Sequence, residues 1–114
     1  MAANNKRGAV RIAKRIEVRY RSQSPPMNGF IEDLSDSGMF VDTTQPLPAG
    51  SGVEFSFHLP DASAETPIHG HGIVAWSDRT GMGIEFQQIN QQERDRIRFY
   101  IASVFFDQVG VSQA

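Results

Sequence analysis

The sequence contains no cysteine, and this absence excludes disulfides, thiolate metal sites and cysteine nucleophiles. Apolar runs are also short, and none approaches the roughly 20 apolar residues that a membrane-spanning helix needs. The polar start of the chain lacks the pattern of a signal peptide. These absences favour a soluble, cytoplasmic domain of bacterial type without a membrane span.

A catalytic constellation is missing as well. His69 and His71 fall on one face of a predicted strand and could form a metal pair, but no third ligand has a suitable spacing. A hydrolytic triad of Ser35, Asp33 and a histidine is disfavoured because the sequence has no nucleophile elbow. We therefore expect no catalytic residue, no metal and no cofactor, and a protein that is not an enzyme.

Positive charge is concentrated at the start of the chain. Seven of the 11 lysines and arginines lie within the first 21 residues, although the net charge of the 114-residue chain is −2. They are Lys6, Arg7, Arg11, Lys14, Arg15, Arg19 and Arg21. Such a basic arm on an acidic body would suit an anionic partner, but charge alone favours a solvated basic tail that aids solubility.

Alternating apolar and polar residues predict six short strands. The first begins at Ile16, where Ile16, Val18 and Tyr20 share one face. The others cover residues 28–34, 39–41, 53–59, 68–76 and 81–86. In a chain long enough for one domain, this pattern favours a small antiparallel β-barrel or β-sandwich, with Phe55, Phe57, Trp76 and Phe86 in its core.

A helix is predicted after the last strand. Asn90 and Glu93 have the spacing of a capping box, in which Glu93 reaches back to Asn90. An apolar stripe at helical spacing follows and would pack on the barrel, namely Ile97, Tyr100, Ile101, Val104 and Phe105. Phe99 lies beside this stripe, where it would be partly exposed. We predict a flexible arm over 1–10, one domain over 11–106 and a frayed tail over 107–114.

Two short motifs carry the most specific chemistry. Arg11 and Arg15 place two guanidinium groups four residues apart, and arginine forks bind phosphate oxygens or guanine. Asp33 can accept hydrogen bonds from guanine, and Ser35 lies two residues on, on the same strand face. Gly38 permits a tight turn or the close approach of a ligand. A guanine nucleotide would fit these groups, but Asp33 and Ser35 would equally suit a self-bonded turn.

Together these motifs resemble the two-part signature of the PilZ domain family. Its pattern is R-x-x-x-R before the first strand and [D/N]-x-S-x-x-G after the second, here Arg11, Arg15, Asp33, Ser35 and Gly38. Similarity extends over residues 11 to about 105, including 38–41, 46–50, 72–76 and 81–86. The resemblance implies a six-stranded PilZ-like barrel that binds bis-(3′-5′)-cyclic dimeric guanosine monophosphate (cyclic di-GMP).

The resemblance also implies roles for individual residues. Arg11 and Arg15 would clamp phosphate and guanine, Asp33 and Ser35 would bind a guanine edge, and Gly38 would leave room for the ligand. Arg7 and Lys14 would add charge. Arg7 and Arg11 form a second R-x-x-x-R frame, but the strand begins directly after Arg15, as the family pattern requires. The arm would close over the ligand and signal to an effector protein.

Two alternatives remain open at this point. A PilZ-like domain without nucleotide binding would act through protein contacts alone. A nucleic-acid-binding barrel is disfavoured because the barrel is acidic and no stacking aromatics lie beside the arm. Family members act in motility and exopolysaccharide regulation, among other processes, and the sequence does not select one.

Overall fold

The structure is a computed structural model that describes residues 10–60 and 66–109. Within these residues, six strands precede one helix in chain order. They are β1 (Val10–Arg21), β2 (Met27–Leu34), β3 (Gly38–Asp42), β4 (Gly52–Phe57), β5 (Ile68–Asp78), β6 (Gly81–Ile89) and α1 (Gln91–Val109). The predicted arm over 1–10 lies outside the described residues except for Val10, and so do residues 110–114 of the predicted tail.

The strands form a closed barrel in the order β1-β2-β3-β6-β5-β4, and every neighbouring pair is antiparallel. The predicted fold class, a six-stranded antiparallel barrel with a C-terminal helix, is confirmed. Closure leaves no open sheet edge, because β1 pairs with β2 on one side and with β4 on the other.

The predicted start of the first strand at Ile16 is wrong. β1 begins at Val10 and pairs with the end of β2, so Val10 lies opposite Leu34 and Arg11 lies opposite Asp33. The register shifts between Arg11 and Ile16. The residues before Ile16 do not continue the apolar alternation of Ile16, Val18 and Tyr20, so the sequence of β1 alone does not reveal that the strand extends across this irregularity.

The barrel interior contains the alternating apolar residues that the sequence predicted. Its fully buried members include Val18, Tyr20, Leu34, Val41, Phe57, Leu59, Ile68, Val74, Met82 and Ile97. Tyr20 is the bulkiest of them, and its hydroxyl is hydrogen-bonded to the Thr43 hydroxyl at 2.9 Å and to the carbonyl of Gln45 at 2.7 Å. These bonds satisfy a polar group that would otherwise be costly to bury.

Helix α1 begins as predicted. The side-chain oxygen of Asn90 accepts the backbone N–H groups of Gln92 at 2.9 Å and Glu93 at 3.2 Å, which is N-cap geometry. The Glu93 carboxylate does not return to Asn90 but accepts the backbone N–H of His69 in β5 at 3.3 Å. Ile97 is completely buried in the barrel core, so the helix is attached to the barrel at both its cap and its apolar face.

Candidate functional site: an acidic and aromatic row beside a fixed turn

One row of residues crosses five strands of the barrel. Cross-strand pairing runs from Arg11 to Asp33, from Asp33 to Phe40, from Phe40 to Gly83 and from Gly83 to Trp76. Residues directly opposite each other in neighbouring strands share a face of the sheet. In β3, Met39 and Val41 are buried, whereas Phe40 between them is only half-buried, so the part of the row from Asp33 to Trp76 lies on the outer face of the barrel.

Phe40 and Trp76 form an aromatic pair within this row. Their ring centroids are 5.3 Å apart and the rings are inclined by only 12°, a stacked arrangement. Gly83 lies beneath them, because a Cβ atom there would approach the Trp76 Nε1 to 2.4 Å. The aromatic pair therefore covers a glycine and presents a flat apolar surface next to the strand that carries Asp33.

The prediction that Trp76 belongs to the barrel core is wrong. Trp76 is half-buried and lies outside the core cluster, whereas Phe55 and Phe57 are buried in it and Phe86 packs against it. The cause is a register shift between Val74 and Trp76 against β6, which changes the alternation of inward and outward residues in β5. Gly83 lies opposite Trp76 in β6, and its lack of a side chain is the one feature of the sequence that indicates a large side chain packed over this position.

The signature turn, residues 33–38, is held together by Ser35. Its side chain is buried, and its hydroxyl oxygen accepts the backbone N–H groups of Ser37 and Gly38, each at 3.1 Å. The backbone N–H of Ser35 donates to the carbonyl of Gly38 at 2.9 Å, and the N–H of Phe86 in β6 donates to the carbonyl of Ser37 at 2.9 Å. The hydroxyl of Ser35 thus stabilises the turn that follows Asp33.

Gly38 is required by the close approach of β3 and β6. A Cβ atom at this position would lie 2.5 Å from the backbone carbonyl oxygen of Ile84. That oxygen belongs to a strand paired with β3 and has little freedom to move. The absence of a side chain at Gly38 is therefore explained within the fold, whatever room it also leaves for a ligand.

Helix α1 contacts the signature turn through two arginines that the sequence analysis did not identify. Arg94 Nη1 donates to the backbone carbonyl of Asp36 at 2.5 Å, and Arg98 Nε donates to its carboxylate at 2.7 Å. The hydrogen bond that Arg98 donates to the Asp36 carboxylate raises the pKa of the Arg98 guanidinium above its usual value. These contacts join residues 58 and 62 positions apart, which explains why no local pattern announced them.

The predicted cationic residues of β1 lie at the end of the row opposite to Trp76. Arg11, Lys14 and Arg15 all belong to β1, and the backbone register sets Arg11 opposite Asp33. Arg7 lies outside the described residues. The β1–β2 pairing therefore sets the backbone of Arg11, from the first part of the signature, opposite that of Asp33, from the second.

The two strand histidines have other neighbours. His71 lies 3.6 Å from the Glu54 carboxylate, which also contacts Arg21 at 3.4 Å. No group of three metal-ligating side chains occurs within the described part of the chain.

Across residues 10–60 and 66–109, no helix is both long and apolar enough to cross a membrane.

Comparison with known proteins places this small barrel in a family. The family model for the PilZ domain matches residues 5–103, so the chain belongs to the PilZ domain family, whose fold binds cyclic di-GMP. The resemblance seen in the signature is thereby confirmed. A search of curated protein sequences gives no significant match.

Several solved structures share the fold, and three of them are compared below. The Bacillus subtilis inhibitor of motility (MotI/DgrA) has a TM-score of 0.73 at 16% identity, over 90% of this chain and 52% of that one. The PilZ domain of CeSA from a cellulose-synthesizing bacterium has a TM-score of 0.58 at 19% identity, over 87% and 97%. Borreliella burgdorferi PlzA, in complex with c-di-GMP, has a TM-score of 0.59 at 18% identity, over 87% and 42%. The chain spans about half the length of MotI/DgrA.

Proposed function

We propose that this chain is a receptor for cyclic di-GMP that binds the nucleotide along the outer row and signals to a protein partner. The observation that carries the proposal is the row itself, in which Arg11, Asp33 and the aromatic pair are consecutive cross-strand neighbours. Membership of the PilZ family and the likeness to PlzA, whose structure contains c-di-GMP, support it.

Each group in the row suits one part of this ligand. The Asp33 carboxylate would accept hydrogen bonds from the N1–H and N2–H groups of guanine, which adenine does not offer together. The face of Phe40 or Trp76 would stack on a base, an interaction of about 1–3 kcal/mol per base. Arg11 and Arg15 would bind phosphate and guanine with paired hydrogen bonds, and Arg7 and Lys14 would add positive charge.

Ser35 and Gly38 would contribute mainly by shaping the turn. Their hydroxyl and backbone contacts hold the residues that follow Asp33, and a guanine contact from Ser35 stays a prediction. Ligand binding would order the arm across the barrel, because a ligand shifts a conformational equilibrium only through its preference for one state. An effector protein in the cytoplasm would then recognise the surface that forms when the arm lies across the barrel.

A calorimetric titration with cyclic di-GMP tests this proposal, with GTP as the control nucleotide. The single tryptophan, Trp76, lies in the proposed site, so its fluorescence should change over the same concentration range. Arg15→Ala should weaken binding about ten- to a hundredfold, the effect of losing a charged hydrogen bond of roughly 1.5–3 kcal/mol.

Arg19→Ala is the matched control for that variant. Arg19 is an exposed arginine in the same strand, but it lies opposite Asn28 rather than beside the signature turn. It should bind cyclic di-GMP like the wild type. Equal affinities for the wild type and Arg15→Ala, or equal responses to GTP, would contradict the assignment.

A second candidate is a protein-interaction module that does not bind the nucleotide. The exposed side chains of Phe99 and Phe106, seven residues apart on α1, favour a contact surface there. In that case cyclic di-GMP would produce neither heat nor a change in Trp76 fluorescence. Substitution of Phe99 would then abolish partner binding in the absence of any nucleotide.

A further inference from the structure

Asp36 is the residue of the signature turn that α1 contacts. Its backbone carbonyl and its carboxylate accept hydrogen bonds from Arg94 and Arg98, respectively. The two arginines are four residues apart and so lie on the same side of the helix. Among the described residues, both contacts made by Asp36 thus come from one helix that follows the barrel in sequence.

The helix that carries these arginines is itself fixed. Ile97, directly before Arg98, is completely buried in the barrel core. At the start of the helix, the Glu93 carboxylate accepts the backbone N–H of His69. The arginines therefore extend from an element attached to the barrel, and they can restrain the position of the turn rather than follow it.

The turn needs such a restraint at one point. Ser35 bonds to Ser37 and Gly38 within the turn, and the carbonyl of Ser37 accepts the N–H of Phe86 in β6. Asp36 lies between these attachments, three residues after Asp33. Its link to α1 is what holds this part of the turn against the rest of the molecule.

We propose that Arg94 and Arg98 are positioning residues of the ligand site, which act through Asp36 to fix the turn that carries Asp33. This inference rests on the proposed binding of cyclic di-GMP. It makes α1 part of the structure of the site, although the arginines themselves do not contact the ligand. Binding at the turn and the placement of α1 are consequently coupled.

Arg98→Gln tests the proposal in the full chain. We expect a three- to tenfold weaker affinity for cyclic di-GMP, roughly the range for losing one partly exposed charged contact that is coupled to a site. In the ligand-free protein, backbone amide exchange over residues 35–38 should become faster while the free energy of unfolding is unchanged. Arg21→Gln is the control, since it removes a comparable exposed ion pair with Glu54 outside the turn.

A double-mutant cycle with Asp36→Asn separates positioning from direct ligand contact. If Arg98 acts through Asp36, the double variant should bind no more weakly than the weaker of the two single variants. A further loss when Arg98→Gln is added to Asp36→Asn would mean that Arg98 contacts the ligand, which overturns the proposal. So would unchanged amide exchange in the turn of Arg98→Gln. Wild-type protein that does not bind cyclic di-GMP overturns the proposed function, and the positioning role is then decided by the exchange rates alone.

Discussion

The signature turn and the first half of β1 lie opposite each other, but the barrel holds them in different ways. The turn is bonded internally by Ser35, fitted against β6 at Gly38 and attached to α1 through Asp36. In the first half of β1, Val10 and Arg11 pair with β2, and the register shifts between Arg11 and Ile16. β4 pairs with β1 only over Val18–Arg21. The side of the proposed site formed by the signature turn is thus built into the fold, whereas the side formed by the first half of β1 is attached by its pairing with β2.

This difference separates two reasons for a residue to belong to the family signature. Ser35 and Gly38 make contacts that the barrel needs with or without a ligand. Arg11 and Arg15 lie on the less extensively paired segment, where their main contribution would be charge for the ligand. Substitutions of Ser35 and Gly38 should therefore lower stability, whereas substitutions in β1 and at Asp33 should lower affinity.

Gly38→Ala should have the largest effect on stability. The new Cβ would collide with the backbone carbonyl of Ile84, so β3 and β6 must separate. We expect a loss of about 3 kcal/mol, the upper part of the usual range for overpacking, measured by urea unfolding. Gly52→Ala is the control, because a Cβ there meets nothing within 4 Å. Similar stabilities for the two variants would show that the turn is less constrained than described.

Asp33→Ala should have the next largest effect, and on affinity instead. Loss of a charged acceptor for guanine should cost about 2 kcal/mol, or roughly thirtyfold in the dissociation constant for cyclic di-GMP. The free energy of unfolding should change little, since Asp33 is half-buried at the end of β2. Calorimetric titration and urea unfolding of the same sample distinguish the two effects. A variant that unfolds early but binds normally would reverse the division of roles.

Ser35→Ala should have a smaller effect than either. Two backbone N–H groups would lose a buried acceptor, at a cost of about 1–2 kcal/mol in the free energy of unfolding. Affinity should fall only as far as the turn loosens. Ser103→Ala removes an exposed serine hydroxyl from α1 and should leave both quantities unchanged. A large loss of affinity without loss of stability would instead support a direct contact between Ser35 and guanine.

Local patterns in the sequence were sufficient for much of this fold. Apolar alternation predicted the barrel strands, and the Asn90 cap predicted the start of α1. They failed at β1 and at Trp76, where register irregularities change which residues face outward. They also could not reveal the contacts of Arg94 and Arg98 with Asp36, because these depend on how the helix packs against a turn about 60 residues earlier.

The spacing of the residues in the sequence was enough to predict the site residues. It did not show which contacts each of them makes in the fold. Ser35 had two interpretations, and the structure shows its hydroxyl bonded within the turn. Phe40 was not considered as a site residue, since its place beside Asp33 and Trp76 follows from the register of four strands. Cross-strand neighbours of this kind appear only once the pairing is known.

Amide hydrogen exchange with and without cyclic di-GMP tests the central claim most directly. The ligand should slow exchange strongly in peptides that cover residues 10–15, because it would add contacts to a segment that pairs with β2 but not with β4. Exchange at residues 35–38 should be slow already and change little. Protection confined to β4 and β5, or a turn that becomes ordered only with ligand, would contradict the account.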